Sequence, residues 1–261
     1  MRAASNPLRR FPGTGVVGAC FFAYLYLPVV VLIALSFNAN RSATIWTGFT
    51  VDWYGHVFVN KTIIAAAKNS LIVASTATLV ATAIATLAAL GTERRFRGQA
   101  PVNAVIALPL VVPEVVTAIA TLLFFVMIRI ELGLATVIIA HIVFCIPFAY
   151  LPIRARLEGM DSSLREAAAD LYADEWQTFR RVTLPLLWPG ILSGAMLAFI
   201  ISLDDFVITF FVAGAGASTL PIYIYTLIRV GISPEVNAVS AMMLVVSIVF
   251  VSLSFLVARR R

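Results

Sequence analysis

Six long apolar stretches constrain the fold of this chain more strongly than any other feature. They cover residues 15–36, 66–90, 102–128, 132–152, 186–211 and 236–258. The hydrocarbon core of a bilayer is about 30 Å thick and needs about 20 apolar residues per helix, so each stretch is a candidate span. Of the 261 residues, 61% are hydrophobic and 12% are charged, whereas soluble domains carry about 25% charged residues. The sequence therefore predicts an all-α membrane protein with six transmembrane helices.

The first stretch follows a basic segment that contains Arg2, Arg9 and Arg10. A charged start before an apolar run is typical of a secretory signal peptide, whose apolar core has about 7–15 residues. The run at 15–36 is longer than that, which favours an uncleaved membrane anchor.

The basic residues are distributed unequally between the two sides of the predicted membrane. Fourteen of the 19 lie on the side of both termini: Arg2, Arg9, Arg10, Arg94, Arg95, Arg97, Arg154, Arg156, Arg165, Arg180, Arg181, Arg259, Arg260 and Arg261. The other side has five: Arg41, Lys61, Lys68, Arg129 and Arg229. The positive-inside bias predicts that both termini are cytoplasmic in a multi-pass protein of a bacterial inner membrane. This placement explains the net charge of +6 without a nucleic-acid partner.

A charged, helix-like segment separates the fourth and fifth apolar stretches, and we name residues 158–185 the hook. Ser163 and Glu166 have the spacing of a capping box at a helix start. An apolar stripe at helical spacing follows them, formed by Leu164, Ala167, Ala168 and Leu171. Asp174 has the position of an N-cap for a second short helix, and Pro185 is expected to end that helix. The hook is therefore predicted to contain two short amphipathic helices on the cytoplasmic side.

Two surfaces suit such helices. One is the membrane itself, on which an amphipathic helix rests with its cations toward the lipid head groups. The other is a groove on a second protein. The polar faces of the hook carry both signs of charge: Arg165, Glu166, Asp170, Asp174, Glu175, Arg180 and Arg181. Helices bound to lipid favour cations, so the mixed charge favours the protein groove.

The hook and its flanks resemble a known transporter family. The hook is similar to the EAA loop of binding-protein-dependent ABC importer permeases in the segment EAAADLYADEWQTFRRVTLPLLWPGI. Its flanks resemble the second permease subunit of spermidine/putrescine importers in GLATVIIAHIVFCIPFAYLPIRARL and ISLDDFVITFFVAG. The resemblance implies the type I ABC importer permease (MetI-like) fold, with residues 1–261 as a single transmembrane permease domain and the hook as its cytoplasmic coupling-helix loop.

The resemblance also implies partners and a cargo. Permeases of this family work with a dimer of ATP-binding subunits, a second related permease and a periplasmic substrate-binding protein. ATP and Mg are then used by the partner ATPase, and this chain binds no cofactor or metal. The implied cargo is a polyamine or a related cationic amine, with an opine or another small organic solute as the alternative.

In that family the coupling helices dock into a cleft of the ATPase. This implies an ATPase-coupling role for Glu166, Ala167, Ala168, Leu171, Tyr172 and Ala173. The family usually has glycine where this chain has Tyr172, and a tyrosine in a left-handed conformation costs roughly 1–2 kcal/mol. We therefore expect either a wider turn between the two helices or packing of Tyr172 on the ATPase.

Three carboxylates fall within the predicted spans: Glu114, Asp204 and Asp205. Intramembrane carboxylates are costly and usually face a cavity or a partner. Adjacent helical residues point about 100° apart, so we expect one aspartate to face a translocation path and the other a backbone or intersubunit partner. A hydrogen-bonded pair that fixes helix contacts is an equally acceptable reading. Glu114 is a candidate gate or a satisfied acid at a helix end.

The sequence contains no recognisable nucleophile–base set and no nucleotide-binding loop. His141 and Cys145 share a helix face, but two ligands are too few for a metal site, so we expect ordinary packing. Two rival functions stay open on the residues alone. One is an ion-coupled secondary transporter that uses the aspartate pair, and the other is a membrane-embedded enzyme or scaffold.

Overall fold

The structure, a computed structural model, describes residues 13–40, 42, 45–93, 96–161, 163–231 and 233–259, with the backbone alone for 253–259. Several arginines of the charge-bias prediction lie outside the described residues: Arg2, Arg9, Arg10, Arg41, Arg94, Arg95, Arg260 and Arg261. The side chain of Arg259 also lies outside them.

The described chain is helical, as predicted. Its helices are α1 (Thr14–Leu35), α2 (Asp52–Val59), α3 (Lys61–Gly91), α4 (Gln99–Val111), α5 (Glu114–Met127), α6 (Leu134–Glu158), α7 (Ser163–Asp170), α8 (Glu175–Thr178), α9 (Leu184–Asp204), α10 (Val207–Val212), α11 (Leu220–Val230) and α12 (Pro234–Arg259). Apart from an isolated bridge between Asn38 and Phe49, the described residues contain no β-structure. By length and composition, five helices can cross a membrane, and the bent pair α4–α5 is a sixth candidate.

The predicted third span, 102–128, is wrong as one continuous helix. Helices α4 and α5 meet at 109° across Val112 and Pro113. Proline disfavours the helical conformation of the residue before it, and Val112 is extended, with ψ 132°. Pro113 has no N–H to donate, so the break leaves one fewer backbone donor to satisfy.

The predicted fifth span, 186–211, is also interrupted. Helix α9 ends at Asp204, and α10 begins at Val207 after an extended Asp205 with ψ 125°. The beginning of this span differs as well, because Pro185 does not end the hook helix. The chain is helical from Glu175 to Asp204 through a π-helical segment, Phe179–Thr183.

The π-helical segment explains how proline is accommodated there. In an α-helix the proline ring clashes with the carbonyl four residues earlier. In the π-helical segment the bonds run five residues back, as in the bond from the Leu184 N–H to the Phe179 carbonyl. The wider turn relieves the crowding before Pro185, and the second hook helix runs directly into α9.

Helices α3, α6 and α9 pack closely through small residues, as is common between helices in membranes. Ala77, Ala81 and Ala85 of α3 are fully buried. On α9, a Cβ added at Gly194 would lie 2.5 Å from the Ala149 carbonyl oxygen of α6, so glycine is required for this approach.

A cluster of buried apolar side chains joins α5 and α10, the two helices that follow the breaks, to α6. Ala118 and Phe125 of α5 pack with Ile208 and Val212 of α10 and with the face of α6 around Phe144. Both broken spans therefore meet on α6.

The described residues divide into two compact units. One contains the residues up to Val59 together with Leu227–Met243. The other contains Asn60–Thr226 and the residues from Leu244 onward, and it includes the hook and all three predicted intramembrane carboxylates.

Candidate functional site

The first hook helix, α7, begins differently from the predicted capping box. Ser163 is its first residue, and the Asp161 carboxylate accepts a hydrogen bond from the Ser163 N–H at 2.9 Å. This bond, with a second from the Ser163 side chain, lowers the pKa of Asp161. The helix start is thus stabilised by Asp161 two residues upstream, rather than by the predicted pair of Ser163 and Glu166.

The second hook helix, α8, begins as predicted. The Asp174 carboxylate accepts a hydrogen bond from the Gln177 N–H at 2.7 Å, the standard N-cap arrangement. The sequence signal was sufficient here because the cap and its partner are three residues apart.

The turn between α7 and α8 places Tyr172 in the left-handed conformation, with φ 59°. The Ala173 N–H bonds the Ala168 carbonyl at 3.0 Å, and the Tyr172 N–H bonds the Ala169 carbonyl at 2.9 Å. These two bonds define a Schellman motif, whose left-handed position usually holds glycine. The alternative of a wider turn is therefore wrong: the chain keeps the tight turn and places a tyrosine in it.

The apex of the hook presents large apolar side chains to solvent. Tyr172 is 97% exposed, Leu171 81% and Trp176 66%. Of the other predicted coupling residues, Glu166 and Ala167 are exposed, Ala173 is half-buried, and Ala168 is buried. The predicted set thus separates into an exposed surface and a buried supporting residue, Ala168.

The second candidate site is a buried polar cluster at the break between α9 and α10. The Asp205 carboxylate accepts hydrogen bonds from the Ile208 N–H at 3.2 Å, the Thr209 N–H at 3.0 Å and the Thr209 hydroxyl at 2.9 Å. It therefore stabilises the first turn of α10, where helical N–H groups have no partner within the helix. Asp205 is 7% exposed, so these bonds replace hydration.

His141 of α6 joins this cluster from a neighbouring helix. Its Nε2 lies 3.1 Å from Asp205 Oδ2 and 2.8 Å from Thr209 Oγ1, and its Nδ1 lies 2.8 Å from Ser202 Oγ. A ring protonated on Nε2 fits these partners, because its one N–H faces both the Thr209 hydroxyl and the Asp205 carboxylate, and the Ser202 hydroxyl donates to Nδ1. His141 is buried, as expected from the sequence, but it also ties α6 to both sides of the break.

The three predicted carboxylates have different surroundings. Glu114, the first residue of α5, is half-buried and close enough to Asp205 for the two carboxyl groups to interact. Asp204 is exposed, and no hydrogen bond or ion pair to it is found among the described residues. The structure therefore brings Glu114 and Asp205 together and leaves Asp204 facing outward.

Sequence reasoning missed three members of this cluster, which are His141, Ser202 and Thr209. Each is a single polar residue in an apolar run, and their pairing depends on how α6 meets the break in the fifth span. In the part of the chain that the structure describes, no group of three His, Cys, Asp or Glu side chains is arranged to hold a metal ion.

Comparison with known proteins gives one family. The family model described as "Binding-protein-dependent transport system inner membrane component" matches residues 81–261. The chain is 40% identical to the spermidine/putrescine transport system permease protein PotC of Haemophilus influenzae, over 92% of this chain and 93% of that protein. It is 37% identical to the putrescine transport system permease protein PotI of Escherichia coli (strain K12), over 91% and 88% of the two chains.

Solved structures agree on the fold. A bacterial ABC transporter involved in the import of the acidic polysaccharide alginate has a TM-score of 0.73 at 19% identity, over 95% of this chain and 94% of that chain. The methionine ABC transporter MetNI, in an inward-facing conformation, has a TM-score of 0.65 at 18% identity, over 76% and 94%. The predicted all-α importer-permease fold is therefore confirmed.

The cluster around Asp205 leads to a stability prediction. Thr209→Val keeps the side-chain shape but removes the hydroxyl that bonds both Asp205 and His141. We expect it to lower the free energy of unfolding by about 1–3 kcal/mol, the usual effect of leaving a buried polar partner unsatisfied. The measurement is thermal unfolding of the purified protein in detergent.

The matched control is Thr226→Val, because Thr226 is exposed and its hydroxyl donates to the Ile222 carbonyl of its own helix. An equal shift for both variants would contradict the assigned role of Thr209.

Proposed function

The chain belongs to the family of binding-protein-dependent transport system inner membrane components, and we propose that it is the permease subunit of an ATP-driven importer of polyamines such as spermidine and putrescine. The observation that carries the proposal is the 40% identity, over 92% of the chain, to a permease named for spermidine and putrescine. An identity of 37% to a putrescine permease supports the same chemical class of cargo.

Family membership makes the chain a transport permease and a multi-pass inner membrane protein. The rival ion-coupled mechanism needs a carboxylate that is free to exchange an ion. Asp205 is occupied by three hydrogen bonds within the protein, which disfavours that role for Asp205. An opine or another small organic solute is the alternative cargo of an ATP-driven importer.

The hook is the proposed contact with the ATPase. A small apolar apex with mixed charge around it suits a groove on a protein, and the exposure of Leu171, Tyr172 and Trp176 supports this. Leu171 and Tyr172, with Glu166, Ala167 and Ala173, form the contact surface, and buried Ala168 supports it from behind. The side chain of Tyr172 adds contact area with the ATPase, and this contact compensates for the free-energy cost of its left-handed backbone conformation.

The hook and both termini are proposed to be cytoplasmic, on the basis of the arginine bias. The remaining partners follow from the family: an ATP-binding subunit dimer that uses ATP and Mg, a second permease, and a periplasmic binding protein. A solved structure of similar fold is a bacterial alginate ABC transporter in complex with an alginate pentasaccharide-bound periplasmic protein.

The translocation path is proposed to pass Asp204, and Glu114 is a further proposed path residue. Asp204 is exposed, so it is available to a cationic cargo, and a carboxylate attracts such a cargo by Coulomb interaction. Asp205 is proposed to have a structural role, because its carboxylate oxygens accept hydrogen bonds from the first turn of α10.

A crosslinking experiment tests the hook. Leu171→Cys, made in a Cys20→Ser background and labelled with benzophenone maleimide, is expected to crosslink to an ATPase subunit when the native complex is illuminated in vesicles. Leu79→Cys is the matched control, since Leu79 is 72% exposed on α3 and should capture lipid. ATP-dependent uptake of labelled spermidine by vesicles in which the Leu171 probe captures only lipid would contradict the proposal.

Neutralisation of Asp204 tests the path. Asp204→Asn is expected to lower spermidine uptake about fivefold at matched protein level, the effect of losing ~1 kcal/mol of attraction between charges in contact with water. Unfolding temperature should be unchanged because Asp204 is exposed. Asp52→Asn, which neutralises an exposed acid at the start of α2, is the control, and native uptake by Asp204→Asn would remove Asp204 from the path.

A further inference from the structure

The first hook helix, α7, is joined to the helical bundle by an ion pair. Arg165 Nη2 contacts Glu93 Oε1, and the two side chains are 32% and 24% exposed. Helix α7 otherwise packs mainly on α8 and the π-helical segment, both of which belong to the hook. We name the Arg165–Glu93 pair the strut.

The Glu93 end of the strut lies next to a rigid point of the bundle. Glu93 follows Thr92, which terminates α3 and is 3% exposed. The Thr92 carbonyl accepts hydrogen bonds from Gln99 Nε2 at 2.6 Å and from Arg154 Nη1 at 2.8 Å. The Thr92 hydroxyl is bonded to the Ala88 carbonyl at 2.7 Å and to the Tyr150 hydroxyl at 2.9 Å.

These bonds tie together three helices at one residue. Gln99 begins α4, whereas Tyr150 and Arg154 lie on α6, and Thr92 ends α3. A force applied to Glu93 therefore reaches α3, α4 and α6 together.

A cavity of about 420 Å³ separates the hook from the end of α3. The strut residues line it with Leu90, Ala169, Phe179 and Thr183. Close packing does not fill this space, so the strut is the direct polar connection across it. Without the ion pair, α7 has room to move toward the bundle.

The other end of the hook is connected differently. Helix α8 continues through the π-helical segment into α9 without interruption. Besides the chain segment that joins it to α6, the hook thus has two connections to the bundle, a continuous helix into α9 and an ion pair to α3.

We propose that the strut is a coupling element. Arg165 and Glu93 are positioning residues, and through them a movement of α7 also moves α3, α4 and α6. Helix α8 moves α9 at the same time. The proposal rests on the proposed function, in which the hook meets the ATPase. In this proposal the strut transmits displacement and takes no part in ATP hydrolysis or cargo binding, so its loss separates ATP hydrolysis from transport rather than abolishing either activity.

The test uses the complete transporter, with its ATPase subunits, second permease and binding protein, in proteoliposomes. ATP hydrolysis and labelled spermidine uptake are measured together for Glu93→Gln, Arg165→Gln and the double charge swap Glu93→Arg/Arg165→Glu. Each single variant should raise the number of ATP molecules hydrolysed per spermidine imported about threefold. This is the effect expected from losing a partly exposed ion pair. The swap should restore the native ratio.

Glu131→Gln is the control. It replaces an exposed carboxylate in the segment just before α6, at the opposite end of that helix from the hook. It should leave the ratio unchanged. A native ratio in both single variants would overturn the proposal, and so would a raised ratio that the swap does not restore. Failure of the proposed function would appear in the native complex itself, as an absence of ATP-dependent uptake.

Discussion

The need to satisfy every backbone polar group controls this structure. Lipid offers no hydrogen bonds, so a helix that spans a membrane breaks only where the protein itself supplies partners. The fifth span breaks at Asp205, and the carboxylate of that residue accepts the N–H groups of the following turn. The third span breaks at Pro113, which has no N–H. Both breaks meet on α6, where Glu114, Asp205 and His141 lie together.

The same constraint accounts for the continuity of the hook with α9. Pro185 removes one backbone donor and crowds the preceding turn, and the chain accommodates it by a π-helical segment rather than by a break. A continuous helix transmits displacement along its length, whereas a loop would absorb it. We therefore infer that α8, the π-helical segment and α9 act as one lever, with the cluster at Asp205 at its far end.

The sequence predicted those features that depend on local spacing. The apolar runs located the spans, and Asp174 located the start of α8, because each signal lies within a few residues. The break at Asp205 was not predicted, since the flanking Leu203 and Phe206 are as apolar as the rest of the span. Local rules also assigned Pro185 to a helix end, because the π-helical alternative has no residue signature. The pairing of His141 with Asp205 depends on contact between distant segments, and no pattern in the sequence encodes it.

The most direct test of the account measures the rigidity of the lever. Spin labels at Gln177→Cys and Leu197→Cys, both exposed and placed after replacement of Cys20 and Cys145, should be about 30 Å apart along the helix axis. Pulsed electron paramagnetic resonance would compare the complete transporter without nucleotide and with ATP trapped. The account predicts the same narrow distance distribution in both states. A shift of about 5 Å, one helical turn, or a marked broadening with ATP would place a hinge within the π-helical segment and contradict the lever.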